Sequence, residues 1–132
     1  MKRTLPGGAS VRRHVLVVDD DTDAAEALVD ILGHSGYEVT AVHDGVQALK
    51  RLKGARLPDV MILDLFMPQM SGWDLMRELK LHAELSNIPI IVVSAFAYSA
   101  EIAADAVLTK PLDTDALLNI MLTLAARDEQ GH

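Results

Sequence analysis

Three short apolar runs in this chain stop directly before charged residues. They are residues 15–18 before Asp19 and Asp20, residues 60–63 before Asp64, and residues 106–109 before Lys110. Short apolar runs bounded by turn signals are typical of buried strands in a parallel sheet. Because the carboxyl ends of parallel strands meet at one edge, we expect these three aspartates and the lysine to lie together.

Between these runs the apolar residues recur at helical spacing, as on one face of residues 22–35. The pattern predicts strands over residues 15–18, 37–42, 59–63, 90–93 and 106–109, and helices over 22–35, 45–53, 71–82 and 113–126. Alternating strands and helices with short connections predict an α/β domain with a doubly wound, five-stranded parallel sheet. Such sheets bind ligands at the carboxyl ends of their strands, where the charged residues fall.

Length and composition indicate one domain. The chain has 132 residues, of which 50% are hydrophobic, enough for one core. We expect a flexible leader over residues 1–13, the domain over 14–126 and a tail over 127–132. The basic start of the chain is not followed by an apolar stretch that could serve as a signal peptide or membrane span, so we expect a cytoplasmic protein without membrane insertion.

Charge and cysteine content exclude several function classes. The formal net charge of −7 argues against direct nucleic-acid binding, which requires a basic face. The chain has no cysteine, which excludes disulfides, thiolate zinc sites and cysteine nucleophiles.

The predicted acidic edge suits a divalent cation and phosphoryl chemistry. Crowded carboxylates raise one another's pKa unless a cation intervenes, and Mg²⁺ binds few carboxylates while accepting phosphate oxygens. A carboxylate can also act as a nucleophile and form an aspartyl phosphate. The competing interpretation is that an aspartate before a helix is only its N-cap, and at least one of residues 19–23 is expected to have that role.

Four motifs in order resemble the receiver domain of two-component response regulators. They are residues 17–20 (Val-Val-Asp-Asp), 59–72 (from Asp59 through Asp64 and Pro68 to Gly72), 94–95 (Ser-Ala) and 109–111 (Thr-Lys-Pro). The likeness covers about residues 14–126. It implies the flavodoxin-like strand order 2-1-3-4-5 and a cis peptide bond at Lys110-Pro111.

The resemblance also implies a role for each site residue. Asp64 matches the phosphoacceptor, and Lys110 matches the lysine that pairs with the phosphoryl group. Ser94 matches the hydroxyl that reports phosphorylation. Asp19 and Asp20 match the acidic pair that holds Mg²⁺, together with Asp64 and the backbone carbonyl of Phe66.

The implied protein is a signalling phosphoacceptor in a phosphorelay pathway and not an enzyme beyond its own phosphorylation and dephosphorylation. Its implied phosphodonor is a sensor histidine kinase or a phosphotransfer protein. The printed sequence ends at His132, soon after the last predicted helix. We therefore expect the output to be a contact with a downstream effector protein, and a homodimer is compatible with this expectation.

Two features depart from the family pattern. Val107 stands three positions before Lys110, where the family usually has an aromatic residue. The segment between Ser94 and Lys110 is about six residues shorter than usual, so the family's fourth helix is expected to be short or missing. We expect a remodelled output face of fourth helix, fifth strand and fifth helix, with Phe96 or Tyr98 taking over part of the aromatic's role or only covering the sheet.

A third expectation concerns the lifetime of the phosphoryl group. Phe66 lies two positions after Asp64, and Phe96 lies two positions after Ser94. Two bulky apolar groups at these positions are expected to exclude water and slow dephosphorylation.

Three alternatives compete with this interpretation. A haloacid-dehalogenase-type phosphatase would use Asp19 as nucleophile, but it leaves the Asp64 motif unexplained and needs Thr or Val where Asp23 stands. A calcium loop would need glycine at the position of Ala24. The remaining alternative is an adaptor with the receiver fold that signals by protein binding without phosphorylation.

Overall fold

The computed structural model describes residues 3–4, 10–11, 13–54, 56–95 and 104–130. Its principal sheet has five parallel strands. We number them β1 (His14–Val18), β2 (Glu38–Val42), β3 (Val60–Asp64), β4 (Ile90–Ser94) and β5 (Ala106–Thr109). Their spatial order is β2-β1-β3-β4-β5, so the predicted order 2-1-3-4-5 is confirmed.

Four helices are described with the sheet: α1 (Thr22–His34), α2 (Gly45–Gly54), α3 (Gly72–Lys80) and α4 (Thr114–Gln130). The side chain of Asp21 caps α1 by accepting from the N–H groups of Asp23 and Ala24. One residue of the acidic run is therefore a cap, as expected. α3 begins with a capping box between Ser71 and Asp74.

The core lies on both faces of the sheet because alternate strand residues point to opposite sides. One face packs against α1 and α4 and includes Val17, Ile62 and Leu117. The other packs against α2 and α3 and includes Leu16 and Leu75. The central strands β1, β3 and β4 are buried along their whole length, which explains their continuous apolar sequences.

Some boundaries differ from the predictions. The last helix continues to Gln130, four residues beyond the predicted end at residue 126. Within the predicted leader, Arg3–Thr4 pairs antiparallel with Ser10–Val11. The predicted shortening of the family's fourth helix concerns residues 96–103, which lie outside the described residues.

Within the described part of the chain, none of the helices is both long enough and apolar enough for a membrane crossing.

Candidate functional site

Three carboxylates converge at the carboxyl edge of the sheet. Asp64 is the last residue of β3, while Asp19 and Asp20 directly follow β1, its neighbour in the sheet. One carboxylate oxygen from each residue lies within 4.8 Å of the others. Asp19 and Asp64 are buried, whereas Asp20 is exposed. The cluster is thus anchored in the sheet and open to solvent on one side.

Asp19 makes hydrogen bonds through both its carboxylate and its backbone. Its Oδ1 accepts from the N–H of Asp21 at 2.9 Å, and its Oδ2 accepts from Lys110 Nζ at 3.3 Å. Its own N–H donates to the carbonyl of Val42 at 3.1 Å, and its carbonyl oxygen lies 3.1 Å from Nδ1 of His43. The carboxylate is therefore held by Asp21 and Lys110, and the backbone of Asp19 is held by the end of β2.

Lys110 reaches the cluster from the strand at the edge of the sheet. It follows β5 directly, and its N–H donates to the carbonyl of Ser94 at 2.8 Å. The peptide bond between Lys110 and Pro111 is cis, as the resemblance implies. The side chain of Lys110 is 30% exposed, and its ammonium group forms an ion pair with Asp19. Among the described ion pairs, it is the cation that contacts the acidic cluster.

Within the acidic cluster, the carboxyl group of Asp64 has a shifted pKa. Burial, and next the negative charge of Asp19, raise the pKa of the Asp64 carboxyl to about 6. Lys110 and a hydrogen bond from the N–H of Phe66 oppose this rise. The carboxyl group is therefore mostly ionised at neutral pH, but at a free-energy cost that a nearby cation would relieve.

Ser94 is fully buried as the last residue of β4. The register pairs Asp64 with Val93, and strand alternation places the side chain of Ser94 on the opposite face of the sheet from that of Asp64. Its backbone contacts Lys110, and the register pairs it with Thr109. The role of its hydroxyl stays a prediction.

The loop after β3 carries Phe66 past the acidic group. The ring of Phe66 is 44% exposed and packs edge-on against Trp73, with 5.2 Å between centroids and 83° between planes. Gly72 donates its N–H to the carbonyl of Leu65 at 2.8 Å, and a Cβ on Gly72 would lie 2.6 Å from the carbonyl oxygen of Asp64. Glycine at this position lets α3 begin directly against the end of β3.

The altered output face is described only in part. Val107, at the position of the family's aromatic residue, is 38% exposed on β5. Phe96 and Tyr98, the residues expected to compensate, lie outside the described residues.

The described donors fit Mg²⁺. Asp19, Asp20 and Asp64 supply hard carboxylate oxygens, and the described ion pairs place one cation, Lys110, in contact with them. The proposed fourth ligand, the carbonyl of Phe66, belongs to the residue whose N–H donates to Asp64.

Sequence reasoning missed His43. Its partner is a backbone carbonyl, so no pattern of residue types indicates the contact. The available signal is its position directly after β2, at the edge where the acidic residues meet.

Known proteins are similar to this chain in sequence and in fold. The family model described as the response regulator receiver domain matches residues 15–122. Response regulator MprA of Mycobacterium ulcerans is 37% identical over 119 residues, which cover 86% of this chain and 50% of that protein. The chain thus spans about half the length of the curated relatives it matches.

Solved structures of response regulators are also similar to this chain. A putative response regulator from Chloroflexus aurantiacus is 30% identical with a TM-score of 0.82, covering 89% of this chain and 100% of that one. Response regulator TrrA of Thermotoga maritima, solved in complex with Mg²⁺ and BeF, is 30% identical with a TM-score of 0.76, covering 85% and 98%. From the ordered motifs, the acidic edge and these similarities, we conclude that the chain belongs to the family of response regulator receiver domains.

Proposed function

We propose that this domain is the phosphoacceptor of a two-component or phosphorelay pathway, with Asp64 accepting a phosphoryl group. The phosphodonor would be a phosphohistidine of a sensor histidine kinase or of a phosphotransfer protein. The observation that carries the proposal is the convergence of Asp19, Asp20 and Asp64 within 4.8 Å, with the Lys110 ammonium 3.3 Å from Asp19.

In the proposed reaction an Asp64 carboxylate oxygen attacks the phosphorus of phosphohistidine. A phosphorus–oxygen bond forms, the phosphorus–nitrogen bond breaks, and the imidazole nitrogen keeps the electron pair. A pKa of about 6 leaves the nucleophile mainly ionised at neutral pH. The domain is then a reactant that is consumed until it is dephosphorylated, not an enzyme turning over a substrate.

The remaining site residues position and neutralise charge. Lys110 would pair with the transferred phosphoryl oxygens, for which its present contact with Asp19 places it close by. Asp19, Asp20, Asp64 and the Phe66 carbonyl would hold Mg²⁺, which when bound supplies the positive charge that phosphoryl oxygens require. The Mg²⁺ complex of TrrA, a protein 30% identical to this chain, supports this donor assignment.

Signal output in this proposal is a shift between two conformations that differ in their affinity for a partner. Ser94 would respond to the phosphoryl group, and the change would reach an effector protein through the output face around Val107. Neither direct nucleic-acid binding nor membrane insertion is part of the proposal, and the predicted cytoplasmic location belongs to it.

Intact-mass measurement tests this function. The chain is incubated with a small phosphodonor in the presence and absence of Mg²⁺, with Asp64→Asn as the variant. We expect the wild type to gain one phosphoryl group only with Mg²⁺ and Asp64→Asn to gain none. An unmodified wild type would overturn the proposal and favour the adaptor, which binds its partner without phosphorylation.

A further inference from the structure

His43 contacts the acidic site from β2 without supplying a ligand atom to it. It follows β2 directly, is half-buried, and has Nδ1 3.1 Å from the carbonyl oxygen of Asp19. A carbonyl oxygen only accepts hydrogen bonds, so Nδ1 must carry the proton. The neutral ring is thereby fixed in one tautomer, with Nε2 unprotonated.

This contact acts on the peptide group that joins two candidate metal ligands. The carbonyl of Asp19 belongs to the same planar unit as the N–H of Asp20. On its other side, Asp19 donates its N–H to the carbonyl of Val42 at 3.1 Å. Residues at the end of β2 therefore contact both backbone polar groups of Asp19. The contact with Val42 is between backbone groups, whereas the contact with His43 is made by its side chain.

His43 is itself fixed by the first turn of α2. Its N–H donates to Oε1 of Gln47 at 3.0 Å, and the N–H of Gln47 donates to Oδ1 of Asp44 at 2.7 Å. A chain of hydrogen bonds thus runs from the start of α2 through His43 to the backbone of Asp19. The carboxylate of Asp19 in turn accepts from Lys110.

We infer that His43 is a positioning residue for the cation site: it sets the orientation of the peptide between Asp19 and Asp20 and so preorganises their carboxylates. The inference rests on the proposed function, since that function assigns the cation to these residues. Partners that orient metal ligands affect affinity without touching the metal.

The test compares His43→Ala with His43→Asn. Asparagine places an amide N–H₂ where histidine has Nδ1, so it can restore the donor without the ring. We expect His43→Ala to weaken Mg²⁺ binding about 10-fold in titration calorimetry and His43→Asn to bind nearly as tightly as the wild type. Gln47→Ala should weaken binding less, and adding it to His43→Ala should have little further effect because both act through one contact.

A measurement on the metal-free protein complements the titration. Nitrogen-15 NMR of the His43 ring should show Nδ1 protonated and Nε2 unprotonated at a pH where the ring is neutral. The opposite tautomer would overturn the inference.

The outcomes separate the two claims. If the wild type binds Mg²⁺ through Asp64 and His43→Ala binds equally well, the inference is wrong and the proposed function stands. If His43→Ala and His43→Asn are weakened equally, the donor is not what matters and the inference is also overturned. If the wild type binds no Mg²⁺, the proposed cation site fails and the inference fails with it.

Discussion

The two ends of β1 both bury titratable groups, but they balance charge differently. At the carboxyl end, Asp19 joins Asp20 and Asp64 with one ammonium, that of Lys110, in contact. At the amino end, the strand begins with His14, which is 3% exposed. The buried polar groups at either end must be compensated by contacts within the protein.

At the amino end, polar and charged groups contact one another, although Nδ1 of the His14 ring is buried without a hydrogen-bond partner among the described residues. The N–H of His14 donates to Oδ2 of Asp59 at 2.7 Å, and its Nε2 lies 3.0 Å from Oγ1 of Thr40. Arg56 forms an ion pair with Glu38 at 2.8 Å. Burial, and next the charge of Arg56, lower the pKa of His14. The neutral form of the ring is therefore the form that the folded protein favours.

At the carboxyl end, by contrast, burial and a like charge raise the pKa of Asp64. In this molecule the carboxyl end of β1 is the candidate site because the charges of its carboxylates do not cancel. At the amino end the described charges include the opposite pair Arg56 and Glu38, whereas the carboxyl end has an excess of carboxylates that a cation can balance.

The largest expected effect is on the rate of phosphorylation, and it should differ between Lys110 at the carboxyl end and Arg56 at the amino end. Lys110→Gln removes the cation that would pair with the transferred phosphoryl group, so we expect the rate of phosphorylation by a small phosphodonor to fall about 100-fold. Arg56→Gln removes a cation from the amino end and should leave this rate unchanged. Equal rates for the wild type and Lys110→Gln would show that Lys110 does not act on the transferred phosphoryl group.

The next effect is on stability in the absence of metal. The Asp64 pKa is raised in the folded state, so its contribution is most favourable below about pH 4 and is lost as the pH rises through about 6. Asp64→Asn removes this penalty and should raise the free energy of unfolding by up to about 3 kcal/mol at pH 8, with little gain at pH 4. Urea denaturation in EDTA measures the difference, and a gain independent of pH would contradict the account.

The amino end should show the opposite pH dependence. The folded-state pKa of His14 is lowered, so its stabilisation is complete above its unfolded pKa of 6.5 and is lost as the pH falls through the lower folded value. His14→Gln keeps a polar group that can hydrogen-bond to Thr40 but cannot titrate. We expect it to reduce the loss of stability on acidification below pH 6.5, measured by the same denaturation series, whereas an unchanged pH profile would show that His14 does not titrate in this way.

The smallest expected effect is on the lifetime of the phosphoryl group, which depends on the access of water to Asp64. Phe66→Asn replaces an apolar ring beside Asp64 with a polar side chain and should shorten the phosphoryl half-life several-fold. Phe66→Leu, which keeps the position apolar, should change it less. A half-life unchanged in Phe66→Asn would show that the ring does not limit access of water.

The sequence allowed the sheet and its acidic edge to be predicted because both depend on regular patterns. Buried parallel strands are apolar along their length, and their ends meet at one edge, so Asp19 and Asp64 could be placed together from the positions of two apolar runs. The family motifs added the roles of Lys110 and Ser94. These steps need residue types and spacing only.

Other features depend on information that the pattern does not contain. The contact of His43 involves a backbone carbonyl, which every residue has. The last helix was predicted to end at residue 126, where the apolar periodicity stops, yet the polar residues 127–130 continue the helix before Gly131. Arginine, glutamate and glutamine favour helix even without burial.

The most direct test of the central claim locates the phosphoryl group. After treatment with a small phosphodonor and Mg²⁺, borohydride reduction converts a phosphorylated aspartate to homoserine, and tandem mass spectrometry identifies the reduced position. We expect reduction at Asp64 alone, and only when Mg²⁺ was present. Reduction at Asp19, the nucleophile of the phosphatase alternative, or at no aspartate would contradict it.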